Sequence, residues 1–266
     1  MLEPFLKWPG GKRWLVRKYP ELFPSKVARH IEPFLGGGAV FFYLRPAKAV
    51  LSDANVELVG LYKKAKTDPK GLDKILRLYH KRHCSKFYYK IRQSSPNDDL
   101  GRAARFLYLN RTCFNGIYRV NLRGQFNVPI GTKTQVAYES GYLAEIAAVL
   151  AGANIVAADF EATIAGAVSG DFVYVDPPYT VMHNNNNFVK YNDVLFSWSD
   201  QQRLADAVRQ AAKRGVMILV SNADHSSVRK LYKGLGRLHV VSRSSILAAS
   251  PGARRPTTEI AISNYI

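Results

Sequence analysis

His30-Ile31-Glu32-Pro33-Phe34-Leu35-Gly36-Gly37-Gly38-Ala39-Val40-Phe41-Phe42-Tyr43-Leu44, followed by Lys48-Ala49-Val50-Leu51-Ser52-Asp53, decides the fold class. An apolar strand runs into three glycines, an apolar stretch of helical length follows, and a second short strand ends on an acid. Strand, glycine loop, helix, strand is the pattern of a parallel sheet. Glycines after a first strand let a ligand come close to the backbone. Asp53 lies 17 positions after Gly36, where a carboxylate can bond ribose hydroxyls. The glycine spacing departs from G-x-G-x-x-G, so a nucleoside cofactor without phosphates fits better than a dinucleotide. A plain strand-to-helix turn would look the same.

Beyond Leu61 the chain changes character. Residues 62–94 have helical spacing and many Lys, Arg and Tyr, punctuated by Pro69, Gly71 and Pro96. Gly101 to Asn110 reads as a further helix. Asn115-Gly116 and Arg123-Gly124 are turn signals flanking Ile117-Tyr118-Arg119-Val120-Asn121, which predicts a β-hairpin. From about residue 141 the strand–helix alternation returns. Asn154 to Ala158 is a short strand ending at Asp159, and Phe172-Val173-Tyr174-Val175 is a buried strand that delivers Asp176. Ser199 is placed to cap a helix running to about Lys213. Val216 to Val220, Leu238 to Val241 and Ile260 to Ser263 read as strands. The expected architecture is α/β: a sheet domain from residues 1–61 and 141–266, interrupted by a basic, mostly helical insertion at 62–140 that carries the hairpin. Asn184-Asn185-Asn186-Asn187 reads as a mobile loop.

Asp176-Pro177-Pro178-Tyr179 carries the chemistry. Proline fixes φ and removes the backbone donor, so the segment presents acceptors: a carboxylate and a prolyl carbonyl. Two adjacent acceptors can hold an –NH2 group, and the Tyr ring can stack on the ring that bears it. An aromatic amine is a poor nucleophile because its lone pair is delocalised. Acceptors on both N–H bonds favour the pyramidal form and stabilise the positive charge that develops. A tight turn after a strand is the bland alternative.

The charge balance names the substrate class. The chain carries a net +18, and Gly60 to Gln125 holds 16 Lys and Arg against 4 Asp and Glu. A field so one-sided favours a polyanion. Leu109 to Pro129 adds Arg, Asn, Gln and aromatic side chains across the hairpin, the kinds that read base edges and wedge between bases. Phe5-Leu6-Lys7-Trp8-Pro9-Gly10-Gly11-Lys12 lacks G-x-x-x-x-G-K-[ST], which excludes an ATPase phosphate loop. Its indole and ammonium groups suit a cofactor carboxylate or DNA. Two cysteines, Cys84 and Cys113, fit a reducing compartment. No apolar run reaches the length of a membrane span, and Met1-Leu2-Glu3-Pro4 lacks the features of a signal peptide. A cytoplasmic protein is expected.

Together these stretches, in this order and over nearly the whole chain, resemble the DNA adenine methyltransferases of the Dam type. The tail Arg254 to Tyr265 is also similar. The resemblance implies a Rossmann-like methyltransferase sheet with an inserted DNA target-recognition domain. It also implies a prokaryotic or phage-encoded enzyme that transfers a methyl group from S-adenosylmethionine to N6 of adenine in double-stranded DNA by base flipping. No metal and no obligate protein partner are implied. Trp8, Lys12, Phe34, Gly36 and Gly38 would hold the cofactor, with Asp53 on its ribose hydroxyls and Asp159 approaching its adenine. Asp176, itself also near the cofactor, and Pro177 would grip the target amine, with Pro178 completing the shelf and Tyr179 stacking on the base. Lys7 and Arg119 match base-contacting positions, Phe114 an aromatic that enters the duplex. Arg111, Asn115, Ile117, Asn121, Arg123 and Pro129 complete the expected DNA surface.

Two other readings use the same residues. An N4-cytosine methyltransferase would apply the same physics to a similar amine. A DNA-binding protein that has lost catalysis would keep the basic insertion. His80-Lys81-Arg82-His83-Cys84 offers metal ligands at helical spacing, but Lys81, Arg82 and Lys86 would repel a cation.

Overall fold

The structure, a computed structural model, describes residues 2–121, 123–181, 196–244 and 256–266. The Asn184–Asn187 run and the start of the Arg254 tail lie outside the described residues. The strands are β1 (Arg29–Glu32), β2 (Ala49–Asp53), β3 (Ala153–Ala157), β4 (Asp171–Val175), β5 (Met217–Ala223), β6 (Arg237–Ser244) and β7 (Pro256–Ser263). They form one sheet in the order β3-β2-β1-β4-β5-β7-β6. β1 pairs in parallel with β2 and β4, and β4 with β5, whereas β7 runs antiparallel between β5 and β6. The strand order reverses between β1 and β4, so the carboxyl ends of these two neighbours flank a switch point, the place where open α/β sheets bind ligands.

The helices are α1 (Arg13–Lys18), α2 (Ala39–Leu44), α3 (Val56–Thr67), α4 (Pro69–Arg82), α5 (Ser85–Gln93), α6 (Asp99–Thr112), α7 (Tyr142–Leu150), α8 (Phe160–Ala165), α9 (Trp198–Lys213) and α10 (Ser226–Leu231). Local chemistry sets their bounds. Pro69 opens α4, where its missing N–H is harmless, and Asp68 caps it through Gly71 N at 2.9 Å. Asp98 caps α6 through Gly101 N at 2.8 Å. Ser197, not Ser199, caps α9: its hydroxyl accepts from Asp200 N, and Asp200 accepts from Ser197 N, a reciprocal box. Ser199 instead bonds the Ser197 hydroxyl at 2.7 Å.

The chain divides into two compact units. One comprises Met1–Lys12, Leu35–Arg45 and Asp53–Ala157. Its interior is helical, with Leu58, Leu61, Tyr62, Leu72, Leu76, Tyr88, Leu107 and Tyr108 buried along α3 to α6. The other comprises Arg13–Phe34, Pro46–Ser52 and Ala158–Ile266. Its core joins Ile31, Val173, Val175, Ile218, Val220, Ile260 and Ile262 of the sheet to Leu204 and Val208 of α9. β4 is buried at every position, which is why it reads as an unbroken apolar run rather than an alternating one.

The expected hairpin is present only in outline. Val120 pairs with Phe126, and Cys113 with Ile130, as isolated antiparallel bridges. Asn121 N donates to Gln125 O at 2.9 Å and Asn127 N to Arg119 O at 3.2 Å. The turn itself is held by a side chain: Asn121 Oδ1 accepts from the N–H groups of Arg123 and Gln125. This Asx turn closes the loop between the two arms.

Candidate active site

In the sheet unit, Asp176 leaves the carboxyl end of β4 beside the end of β1, at the switch point. Three neighbours hold the tetrapeptide. Ser221 on β5 donates to Asp176 Oδ1 at 2.8 Å. Gln201 on α9 donates to the Pro178 carbonyl at 3.2 Å, and Asn222 donates to Gln201 Oε1 at 3.1 Å. Tyr179 donates to Glu259 Oε2 at 2.6 Å. Ser221, Asn222, Gln201 and Glu259 are all buried. Burial, with the carboxylates of Asp176 and Glu259 nearby, pushes the Tyr179 phenol well above its usual pKa, so it stays a donor. The sequence reading singled out none of these four supporting residues.

Phe34, just past β1, stacks on Phe160 with centroids 5.5 Å apart and meets Phe196 edge-on at 5.6 Å. Asp159 caps α8 through Glu161 N and pairs with Arg203 at 3.1 Å. Its carboxylate is exposed.

In the helical unit the glycine loop meets the first motif. Gly36 has φ +46°, and a Cβ there would stand 2.7 Å from Trp8 Cδ1. Only glycine permits both the left-handed backbone and the indole at this distance. Gly38 opens α2 at φ +64°, where a Cβ would lie 3.0 Å from the Tyr62 hydroxyl. Asp53 ties the loop down: Oδ2 accepts from Gly36 N at 3.0 Å and Oδ1 from Asn55 N at 2.9 Å. Burial raises its pKa, and these two bonds oppose the rise. A carboxylate has about four acceptor sites, so two backbone bonds leave capacity for hydroxyl donors. Lys12 is buried, with Nζ bonded to Gly10 O at 2.9 Å. A buried ammonium, a carboxylate with capacity and an indole beside bare backbone fit a nucleoside bearing an amino-acid carboxylate.

The same unit assembles the expected DNA residues. Asn110 accepts from Lys7 N and donates to the carbonyls of Lys7 and Gly116, which links the first motif to the turn region. Trp8 stacks on Tyr118 at 5.6 Å, and Tyr118 on Phe106 at 5.0 Å. Phe114 is 52 % exposed, next to Asn115 at φ +54°. Arg119 is exposed and bonded to Asn127 Oδ1 at 2.8 Å; Arg123 and Pro129 are also exposed, and Ile117 is half-buried. Arg111 is half-buried and bonded within the chain. Its guanidinium donates to Gln135 O and lies 3.7 Å from the centre of the Tyr138 ring. One end of the guanidinium is thereby tied to the chain around residues 135–138, beside an aromatic face that attracts a cation.

The His80–Cys84 stretch has structural partners. His83 Nδ1 bonds Tyr108 Oη at 2.9 Å, His80 Nδ1 accepts from Val136 N, and Cys84 caps α5 through Phe87 N.

The family model for D12 class N6 adenine-specific DNA methyltransferases matches residues 8–246. The chain belongs to this family. A type II methyltransferase of Lactococcus lactis subsp. cremoris is 39% identical over 274 residues, covering 99% of this chain and 96% of the relative. A type II methyltransferase of Methanocaldococcus jannaschii is 34% identical, covering 99% of each chain. The DNA adenine methylase of Escherichia coli K12 is 32% identical, covering 96% of this chain and 93% of the relative. This D12 methyltransferase is therefore an enzyme that methylates adenine in DNA, and S-adenosylmethionine is the methyl donor of its class. The resemblance drawn from the sequence holds, and the seven-stranded α/β sheet is consistent with a Rossmann-like methyltransferase fold. Among the described residues no helix is long and apolar enough to cross a membrane.

Proposed function

We propose that this D12 methyltransferase modifies N6 of adenine in double-stranded DNA after turning the base out of the helix, with Asp176-Pro177-Pro178-Tyr179 as the receiving shelf. The observation that carries this is the attachment of the shelf at the switch point by Ser221, Gln201 and Glu259. A paired adenine amine is out of reach inside the duplex, so flipping precedes chemistry. Asp176 and the Pro177 carbonyl then accept from the two N–H bonds of the amine. This withdraws its lone pair from the ring and points it at the donor. The nitrogen–carbon bond would form as the donor's sulfur–carbon bond breaks and leaves a neutral thioether; positive charge grows on nitrogen beside the fixed Asp176 carboxylate, which stabilises it without reorganisation, and the surplus amine proton is then lost to solvent. Tyr179 stacks on the extruded base. Bound S-adenosylmethionine supplies an electrophilic methyl on sulfur; Trp8, Lys12, Phe34, Gly36, Gly38, Asp53 and Asp159 are the residues proposed to hold it. The rest of the work is positioning.

Residues 62–140 form the proposed target-recognition domain. Its Lys and Arg excess favours phosphate contacts that are salt-sensitive and blind to sequence. Lys7, Asn115, Ile117, Arg119, Asn121, Arg123 and Pro129 are proposed to read the site, with Phe114 as the wedge. Arg111, held beside residues 135–138 by the Gln135 and Ala137 carbonyls, completes the proposed DNA surface. No obligate protein partner is needed for these steps, and the reaction belongs in the cytoplasm.

The deciding experiment is transfer of labelled methyl to duplex DNA, with the modified base identified after digestion. N6-methyladenine from the wild type and none from Asp176→Ala is the expected result. Turnover retained by Asp176→Ala, or label in N4-methylcytosine, overturns the reading.

A further inference from the structure

We propose that Ser221, loaded by Tyr174, is a positioning residue that sets the orientation of the Asp176 carboxylate. The proposal rests on the reading of Asp176 as the amine acceptor. Ser221 Oγ lies 2.8 Å from Asp176 Oδ1 and 2.9 Å from Tyr174 Oη. Ser221 is 1% exposed and Tyr174 3%. An ionised carboxylate has no proton to give, and a serine hydroxyl has one. The Ser221 proton therefore goes to Asp176 at 2.8 Å rather than to the Val175 carbonyl at 3.4 Å, and the lone pair of Ser221 takes the proton of Tyr174. Burial, with the carboxylates of Asp176, Glu32 and Glu259 adding to it, holds the Tyr174 phenol well above its usual range, so its proton is always available. The chain of bonds thus has one direction: Tyr174 to Ser221 to Asp176.

Tyr174 stands two residues before Asp176 on β4, and Ser221 projects from the adjacent strand β5, where Val175 is paired with Val220. Both anchors sit on buried strands rather than on the loop. The carboxylate emerging into the loop is steered by groups that the sheet immobilises. A carboxylate held at one oxygen keeps its plane, and its plane sets where the target amine can bond. Charged groups surround the relay: the carboxylates of Asp176, Glu32 of β1 and Glu259 of β7 act on Tyr174, and those of Asp176 and Glu259 act on Tyr179 within the same loop as Asp176.

The test compares Ser221→Ala, Tyr174→Phe, the double variant and Asp176→Ala in steady-state methyl transfer to duplex DNA across pH. A bond to a charged group is of the size that gives about a tenfold or larger fall in kcat. Ser221→Ala is expected to show that fall with KM for DNA and the melting temperature near wild type. The acidic limb of its kcat profile is expected to move to higher pH, since a lost donor makes the carboxylate easier to protonate. Tyr174→Phe keeps the ring and is expected to give a smaller fall of the same kind. It is expected to add nothing in the Ser221→Ala background, because the relay is already broken. Wild-type kcat in Ser221→Ala beside an inactive Asp176→Ala overturns the positioning role and leaves the shelf intact. So does a loss that tracks melting temperature with an unmoved acidic limb. An active Asp176→Ala overturns the shelf itself. If Ser221→Ala does not fold, the kcat and pH profile of Tyr174→Phe decide.

Discussion

Tyr179 and Glu259 are joined by a 2.6 Å hydrogen bond although 80 positions separate them in the chain. The bond fixes the position of the hydroxyl end of the ring proposed to stack on the extruded adenine. Removing the ring and removing only the hydroxyl therefore have different consequences. Tyr179→Ala loses stacking worth about 1–3 kcal/mol per base, or roughly 5- to 150-fold in base retention. Tyr179→Phe keeps the face and loses only the anchor, so its loss is expected to be the smaller of the two. Fluorescence of 2-aminopurine at the target position, with methyl-transfer rates, measures both. Equal losses from the two variants would remove the stacking role.

Gly36 combines a positive φ with the 2.7 Å approach of a virtual Cβ to Trp8. Gly36→Ala has to strain the backbone and move the indole. The left-handed conformation alone costs about 1–2 kcal/mol for alanine, which lowers the melting temperature by roughly 2–8 °C. Calorimetric titration with S-adenosylhomocysteine is expected to show binding falling by more than the stability loss explains. Unchanged affinity would free the glycine loop from the cofactor.

Ser197 provides a pH-dependent test of the α9 cap. The Ser197 hydroxyl, followed by Ser197 N–H and Arg203, holds the Asp200 carboxyl below its ordinary value. A depressed carboxyl stabilises the fold above its unfolded pKa of about 3.9, and that stabilisation is lost as pH falls through the folded value. Ser197→Ala is expected to cost about 0.5–2 kcal/mol at pH 7. The gap from wild type should narrow below about pH 4. Denaturant melts at pH 7 and pH 3 check the sign.

Arg119 and the basic helices are expected to separate in salt. Arg119→Ala should relax discrimination at one base pair by about 1–3 kcal/mol. If the basic helices hold phosphates as proposed, replacing a lysine of α4 or α5, such as Lys86→Ala, should weaken all duplexes alike and lower the salt slope by about one. Binding to a target and a scrambled duplex at several salt concentrations distinguishes the two. A uniform loss from Arg119→Ala would make it a phosphate contact.

The sheet was legible in the sequence where local signals are strong. β1, the glycine loop, α2 and β2 announce themselves between Arg29 and Asp53 by apolar runs and glycines, and β4 by an unbroken apolar strand ending in an acid. The support of the shelf was not legible. Ser221, Gln201 and Glu259 lie 45, 23 and 80 positions from their partners. No periodicity marks a serine on a buried strand as a donor to a distant carboxylate. The cap of α9 was misplaced by two residues because Ser197 and Ser199 both precede an acidic first turn, and only geometry tells which oxygen meets Asp200 N. The hairpin was overstated because a side-chain turn at Asn121 leaves the same polar and glycine signals as a strand ladder.

β7 follows β6 in the chain yet lies between β5 and β6 in the sheet. A nascent chain that has exposed everything up to β6 already contains Asp176, Ser221 and the glycine loop, but β5 is still unpaired on one side and Tyr179 has no Glu259. Insertion of this last strand thus completes both the sheet and the bond that anchors Tyr179.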